Sequence, residues 1–202
     1  MTWKPIVGKA FATAEAFSAY VDSVKFGLWR PRFIVVHNTG APNAAQYAAH
    51  WTRAKPITDE DWMKDALEPF YRDQQKWSAG PHLFVTPKNI CVFSPLNAPG
   101  VHSPSWNAVS WGVETVGDFD VDPFEGPIKT NLAAALGVLH MKAGLQPTPY
   151  EKGVRGLHFH REDPRTTHRD CPGMKLQKPL LIDAVKGFID AAHLGDHQPP
   201  SA

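Results

Sequence analysis

The sequence predicts a single α/β domain in which helices flank a central β-sheet. Apolar runs typical of strands alternate with stretches whose apolar residues recur at helical spacing, and neither an internal repeat nor a linker divides the chain. At 202 residues the chain is long enough to bury one substantial core. Its 19 prolines indicate long, shaped connections rather than a helical bundle.

Five segments have apolar residues three or four positions apart and are predicted as helices. They lie at residues 13–25, 43–53, 58–77, 131–145 and within 176–194. Thr13 and Thr58 precede the first and third helices and can cap them, whereas Pro69 should kink or interrupt the third. The last helix is expected to start near Pro179 and to end before Gly195.

Five short runs rich in apolar and β-branched residues are predicted as strands. They lie at residues 32–36, 82–85, 90–93, 110–116 and 154–158. The turn residues Pro87, Lys88 and Asn89 separate the second and third strands, which predicts a hairpin. The first strand ends at His37, and functional sites are often built where buried strands end.

Composition excludes several classes of function. The formal net charge is +1, so no global field favours nucleic acid or an anionic membrane. No run approaches the roughly 18 apolar residues that a membrane span needs, and the N-terminal segment lacks the pattern of a signal peptide. We expect a monomer that is made in the cytoplasm and binds neither nucleic acid nor membrane.

The densest group of chemically active side chains lies in residues 157–173, LHFHREDPRTTHRDCPG. It holds three histidines and one of the two cysteines, which make a poor disulfide framework. A thiolate and imidazoles close together are ligands that zinc prefers, and a catalytic zinc ion takes three protein ligands. Spacing alone leaves several candidates open: Cys171, with His158, His160 and His168 nearby and His37, His82 or His102 from upstream.

Two further features indicate a cleft. Glu114 lies among apolar neighbours in a predicted strand, and because an unpaired buried charge is costly, a functional role is favoured over a structural one. The loop at residues 95–107 carries an aromatic, a histidine and an amide, a combination that often lines a cleft, although a solvated loop is the alternative. The candidate substrate contacts are His102, Trp106 and Asn107, together with His82.

Three blocks of the chain, VVHNTG, SWGVETVGDF and HREDPRTTHRDCPG, resemble the signature blocks of the zinc-dependent N-acetylmuramoyl-L-alanine amidases. This type-2 amidase family shares its fold with peptidoglycan recognition proteins and some phage lysozymes. The blocks occur in family order over about residues 32–175. The resemblance implies a peptidoglycan recognition protein-like amidase fold with a mixed sheet, one catalytic domain over residues 1–202 and a flexible tail at 196–202.

The resemblance also implies a ligand set for one zinc ion per chain: His37, His160 and Cys171. His160 is favoured over His158 because it opens the step HRE, which resembles the family's second-ligand motif. Cys171 precedes a Pro-Gly pair, as the family's third ligand does. Other members carry aspartate there, so the cysteine is similar to the phage-type and recognition-protein branch.

The catalytic roles come from the same resemblance. Glu114 matches the family's catalytic glutamate and would act as general base and then general acid. Where many members carry a lysine, this chain has Arg169 beside His168, so either could stabilise the oxyanion. Some relatives have a tyrosine before the histidine of the hairpin strand, whereas this chain has Pro81.

The implied reaction is hydrolysis of the amide between N-acetylmuramic acid and L-alanine of the peptidoglycan stem peptide, on polymer or on muropeptides. The implied setting is a phage endolysin that reaches the periplasm and cell wall after release, or a cytoplasmic amidase that recycles wall fragments. Two alternatives remain. One is a recognition module that binds peptidoglycan without cutting it, although such members typically lack the cysteine. The other is a hydrolase with Cys171 as nucleophile.

Overall fold

The structure is a computed structural model that describes residues 2–149 and 155–196, and these form six strands and five helices. The strands are β1 (Lys9–Phe11), β2 (Phe33–Asn38), β3 (Leu83–Val85), β4 (Ile90–Val92), β5 (Ser110–Thr115) and β6 (Leu157–Phe159). The helices are α1 (Ala14–Ser23), α2 (Ala44–Trp51), α3 (Asp59–Trp62), α4 (Pro127–Ala143) and α5 (Lys178–Asp196).

All six strands form one mixed sheet in the order β1-β4-β3-β5-β2-β6. Strands β3, β5, β2 and β6 are parallel; at one edge β4 pairs antiparallel with β3, and β1 pairs antiparallel with β4. Strand β2, which ends beside His37, lies between β5 and β6. The predicted α/β fold with a mixed sheet flanked by helices is therefore confirmed.

The two faces of the sheet carry different cores. One face packs against α1, α4 and α5 and includes Val36 and Val113. The opposite face packs against α2 and α3, with Phe84 as a central contact. Because side chains alternate along a strand, His37 and Glu114 point to this second face. The functional side chains therefore share a face with the smaller core.

The predicted helix over residues 58–77 is irregular in the structure. Thr58 caps α3 by accepting a hydrogen bond from the Asp61 backbone N–H at 3.1 Å. The chain then continues in wider π-helical turns at Met63–Leu67 and Phe70–Gln74, with Pro69 between them. Proline lacks the N–H that a regular α-helix would use, yet the chain stays helical through Pro69 and is not interrupted there. The departure from a regular helix takes the form of the π-helical turns on either side of Pro69.

Smaller differences concern the ends of elements. Helix α4 begins at Pro127 rather than near residue 131, and α5 runs to Asp196, past its predicted end. Strand β1 was not predicted, because the three residues KAF carry little strand pattern. Residue 154 of the predicted last strand and residues 197–202 of the predicted tail lie outside the described residues. Within residues 2–149 and 155–196, no helix is long and apolar enough to cross a membrane.

Candidate metal centre

Parallel pairing brings three candidate residues to one edge of the sheet. His37 is the register partner of Glu114 on β5, and Val36 is the register partner of Phe159 on β6. His160 directly follows Phe159, so it lies beside His37 where the strands end. The ring centroids of the two histidines are 4.3 Å apart. Strand register alone thus assembles two imidazoles and a carboxylate.

The loop after β6 adds the thiol of Cys171. Its Sγ accepts a hydrogen bond from the backbone N–H of Asn38 at 3.4 Å, next to His37. The ligand atoms of His37, His160 and Cys171 all lie within 4.8 Å of one another. A tetrahedral zinc ion with bonds of about 2.0–2.3 Å separates its ligand atoms by roughly 3.3–3.8 Å. The donor set and its spacing therefore fit zinc after a small contraction.

Each imidazole is held through its outer nitrogen. His37 Nε2 lies 3.1 Å from His102 Nδ1, and His160 Nε2 lies 2.8 Å from the Thr166 hydroxyl oxygen. The Nδ1 atom of each ring is left for an ion. Partners of this kind orient metal-binding histidines and raise their basicity.

Burial sets the protonation of these ligands. It lowers the pKa of His160 to about 4, and burial together with the neighbouring histidines lowers the pKa of His37 well below its usual value. Both rings are therefore neutral at pH 7, as metal binding requires. Burial, and then the nearby Glu114, raise the pKa of the Cys171 thiol, so the free thiol is a poor nucleophile.

Glu114 is the candidate general base. Burial raises its pKa to about 8, and its side chain is 13% exposed. Its Oε1 lies 3.9 Å from His37 Nδ1, the nitrogen that faces the metal position. A carboxyl group whose pKa lies near neutral pH and that touches the metal-binding edge is suited to moving a proton.

The candidate ligands and Glu114 open onto a cleft of about 540 Å³. An adjoining cavity of about 490 Å³ is lined by the π-helical turns, including Leu67 and Phe70. Glu114 and Tyr71 line both cavities, so the candidate base lies at their junction. A substrate that extends to both sides of its scissile bond could occupy the two parts together.

His168 and Arg169, the two candidates for oxyanion stabilisation, line the same cleft. The His168 ring stacks on His160 with centroids 5.3 Å apart. The Arg169 guanidinium donates to the Asp163 carbonyl at 3.4 Å, so its cationic end is tethered beside the ligands. Both side chains are exposed, which leaves them accessible to a substrate.

Three predicted substrate contacts have structural roles instead. His82 is fully buried, its Nδ1 accepts from the Gly112 N–H, and its Nε2 lies 3.0 Å from the Ala98 carbonyl. Trp106 packs edge-on against Phe33, at the start of β2 and away from the cleft. The Asn107 side chain accepts from two backbone N–H groups of its own loop. We therefore withdraw the substrate contacts predicted for His82, Trp106 and Asn107.

The surroundings of His102 and His158 indicate what each of these two residues does. His102 lines the cleft but is 5% exposed, and its main contact is with His37. His158 is fully buried between the rings of Phe33, 4.0 Å away, and Trp106, 4.9 Å away. His102 thus supports a ligand, and His158 belongs to the core beneath the site. Cys171 and Cys91 are both free thiols.

Sequence reasoning missed residues that shape the site. Thr166 is 2% exposed and holds His160, and its place between the two predicted ligands was the available signal. Asp163 is fully buried and accepts from the Ser105 backbone N–H at 2.9 Å, so it ties the 101–107 loop to the loop after β6. Tyr71 is 7% exposed and also lines the cleft.

Comparison with protein families gives one match that covers most of the chain. A family model described as N-acetylmuramoyl-L-alanine amidase matches residues 28–174, which include all three candidate ligands and Glu114. A search among curated proteins finds no significant match.

Solved structures with the same fold include endolysins and peptidoglycan recognition proteins. The endolysin amidase LysCS from Clostridium intestinale URNW is 22% identical, with 78% of this chain and 85% of that chain covered and a TM-score of 0.56. The Ph2119 endolysin from a Thermus scotoductus MAT2119 bacteriophage is 21% identical, with 80% and 88% covered and a TM-score of 0.53. Drosophila PGRP-SA is 11% identical, with 77% and 80% covered and a TM-score of 0.57. At these identities the similarity concerns the fold.

Proposed function

This chain belongs to the N-acetylmuramoyl-L-alanine amidase family of peptidoglycan amidases and recognition proteins, and from that premise we propose that it is a zinc-dependent hydrolase. The bond cut is the amide between N-acetylmuramic acid and L-alanine of the peptidoglycan stem peptide. The observation that carries this proposal is the convergence of His37, His160, Cys171 and Glu114 in one cleft.

In this proposal, His37, His160 and Cys171 hold one zinc ion. When bound, zinc supplies Lewis-acid activation of water and of the amide carbonyl. Glu114 takes the proton of the attacking water and returns it to the leaving amine. Its place at the junction of the two cavities supports this role, because the scissile bond must lie there.

The developing oxyanion requires a donor from the cleft wall. Arg169 offers a permanent positive charge on a side chain tethered at the cleft, and His168 offers a ring next to the metal ligands. Loss of one such donor commonly costs roughly 3–4 kcal/mol of transition-state stabilisation. We assign the role to Arg169, because its guanidinium combines a positive charge with several N–H donors for an oxyanion.

The test combines product analysis with metal analysis on one sample. Purified protein is incubated with sacculi, and products are identified by mass spectrometry while zinc per chain is measured. We expect free stem peptides and about one zinc ion per chain, with activity removed by a chelator and restored by zinc. Products in which every stem remains attached to its muramic acid would refute the proposed reaction.

The two cysteines provide a matched pair of variants. Cys171→Ala should abolish zinc binding and hydrolysis, because it removes one of three ligands. Cys91→Ala removes a thiol that is fully buried in β4, in the core outside the cleft, and should keep both properties. A cysteine nucleophile at position 171 would instead leave zinc irrelevant, so activity of the wild type would survive the chelator.

Recognition without cleavage is the second candidate function, since the structural neighbours include recognition proteins. The three assembled ligands and the buried carboxylate favour cleavage over binding alone. A protein that sediments with sacculi and releases no peptide at any zinc concentration would establish the recognition function.

We propose a cell-wall setting for the activity, as an endolysin in the periplasm and cell wall, acting as a monomer with residues 1–202 forming one catalytic domain. The comparison with two endolysins of the same fold, one of them from a bacteriophage, supports this choice. A recycling amidase would cleave soluble muropeptides in preference to polymer. Relative rates on sacculi and on soluble muropeptides separate the two settings, and light scattering tests the monomer.

A further inference from the structure

We propose that a buried hydrogen-bonded chain from Ser110 through His102 fixes the tautomer of His37, so that its Nδ1 lone pair faces the metal position. The inference rests on the proposed zinc site and concerns how the protein prepares it. His102 then acts as a positioning residue, in place of the substrate contact that the sequence predicted.

Ser110 determines which atoms donate and which accept along this series of hydrogen bonds. Its hydroxyl has one hydrogen, which it donates to the Trp106 carbonyl oxygen at 2.8 Å. Toward any other partner the same oxygen can only accept. His102 Nε2 lies 3.4 Å from that oxygen, so Nε2 of His102 carries a hydrogen.

His102 passes this orientation on to His37. The His102 ring is 5% exposed, and the rings of His37 and His82 lie 5.2 and 5.9 Å away, so a positive charge there is disfavoured. A neutral imidazole with its hydrogen on Nε2 has a bare Nδ1 that can only accept. His102 Nδ1 lies 3.1 Å from His37 Nε2, so His37 donates from Nε2. Nδ1 of His37 is then the unprotonated atom.

The position of the His102 ring depends on the absence of a side chain at Gly112 of β5. A Cβ atom at this position would lie 2.2 Å from His102 Cγ and 2.5 Å from its Cδ2. The ring therefore packs directly on the backbone of the strand that carries Glu114. A glycine two residues before the candidate base lets His102 reach His37, so the positioning role is built into the strand.

Zinc affinity of three variants tests the role of the acceptor. His102→Phe keeps a ring and removes the acceptor, whereas His102→Asn keeps an oxygen close to the position of Nδ1. His140→Phe is the control, because His140 is fully buried in α4 and bonds the Leu136 carbonyl. Competition of Zn²⁺ with a chromophoric chelator should show roughly 10- to 100-fold weaker binding for His102→Phe. His102→Asn should retain most of the affinity and His140→Phe all of it.

The tautomer itself is measured in the zinc-free wild type by long-range ¹H–¹⁵N correlation spectra of the histidine side chains. The expected result is a hydrogen on His37 Nε2, with the signals assigned by their loss in His37→Ala. A hydrogen on Nδ1 would overturn the inference, even if His102→Phe were to misfold. Wild-type affinity in a folded His102→Phe protein would overturn it as well. A wild type with the expected tautomer that binds no zinc would refute the proposed function and leave the tautomer assignment standing.

Discussion

Replacement of Glu114 by glutamine should lower activity while raising the stability of the metal-free protein. In the folded chain burial raises the pKa of Glu114 from 4.5 to about 8. Between these values the folded state binds a proton that the unfolded state has released. By linkage, the contribution of Glu114 to stability is therefore lost as pH rises from about 4.5 through 8.

The size of this effect has an upper bound. At about 1.4 kcal/mol per pH unit, the interval from 4.5 to about 8 corresponds to roughly 5 kcal/mol. Because the side chain is 13% exposed, water screens part of it, and we expect about 2–3 kcal/mol. Glutamine has no charge to bury, so Glu114→Gln avoids this cost at pH 8 and gains nothing at pH 4.

The assay is urea unfolding of chelator-treated proteins at pH 4, 6 and 8. Comparison of the variant with the wild type at each pH cancels the contributions of the buried histidines. Glu125→Gln, at an exposed carboxylate, is the control and should change the unfolding free energy by less than about 0.5 kcal/mol. In the zinc-loaded protein, Glu114→Gln should slow hydrolysis by roughly 10²- to 10⁴-fold. A wild type that gains stability over the variant from pH 4 to pH 8 would refute the reasoning.

Three other outcomes are expected. Chelation should lower the Tm at pH 7, because zinc bound to the folded state alone adds stability, and readdition should restore it; an unchanged Tm in calorimetry would contradict this. In steady-state kinetics, Arg169→Ala should reduce kcat by roughly 10²- to 10³-fold and His168→Ala should reduce it less. Arg165→Ala, at an exposed arginine, is the control. A larger loss of kcat for His168→Ala would assign the oxyanion role to His168 instead of Arg169. Gly112→Ala should weaken zinc binding in chelator competition although it alters no ligand, because the new Cβ would lie 2.2 Å from His102 Cγ and would displace the ring. Wild-type affinity would argue against the proposed packing of His102 on Gly112.

The ligand set shows what sequence can predict and where it stops. His37 was a candidate because a buried strand ends there, and Cys171 because thiols are rare in this chain, but only the family resemblance selected these two with His160 as a ligand set. Spacing could not separate His158 from His160, since both point to the same face of β6. Register separates them: His158 pairs with Val35 inside the sheet, whereas His160 lies just beyond the last paired residue, where a cleft can form.

The errors share a physical cause. The loop at 95–107 has the composition of a cleft wall, but composition does not say which way a loop faces. Trp106 packs against Phe33 at the start of β2, on the same face of the sheet as the site, and Asn107 accepts from the N–H groups of its own loop. Asp163 acts through a hydrogen bond to Ser103, 60 positions away, so no local pattern identifies it, whereas Thr166 bonds His160 within the same short segment and could have been found from its place between the two predicted ligands.

Among the residues that the structure describes, strand β6 lies at one edge of the sheet, has three residues and pairs with β2. It contributes little ladder bonding of its own, yet the candidate ligand His160 follows it directly. An ion shared by His37 and His160 would act as a cross-link between segments more than 120 positions apart in the sequence. Such a link removes conformational freedom from the chain in the way a disulfide does. The metal would then stabilise the position of β6 at the edge of the sheet in addition to its role in catalysis. The free energy of metal binding would therefore be part of the free energy of folding.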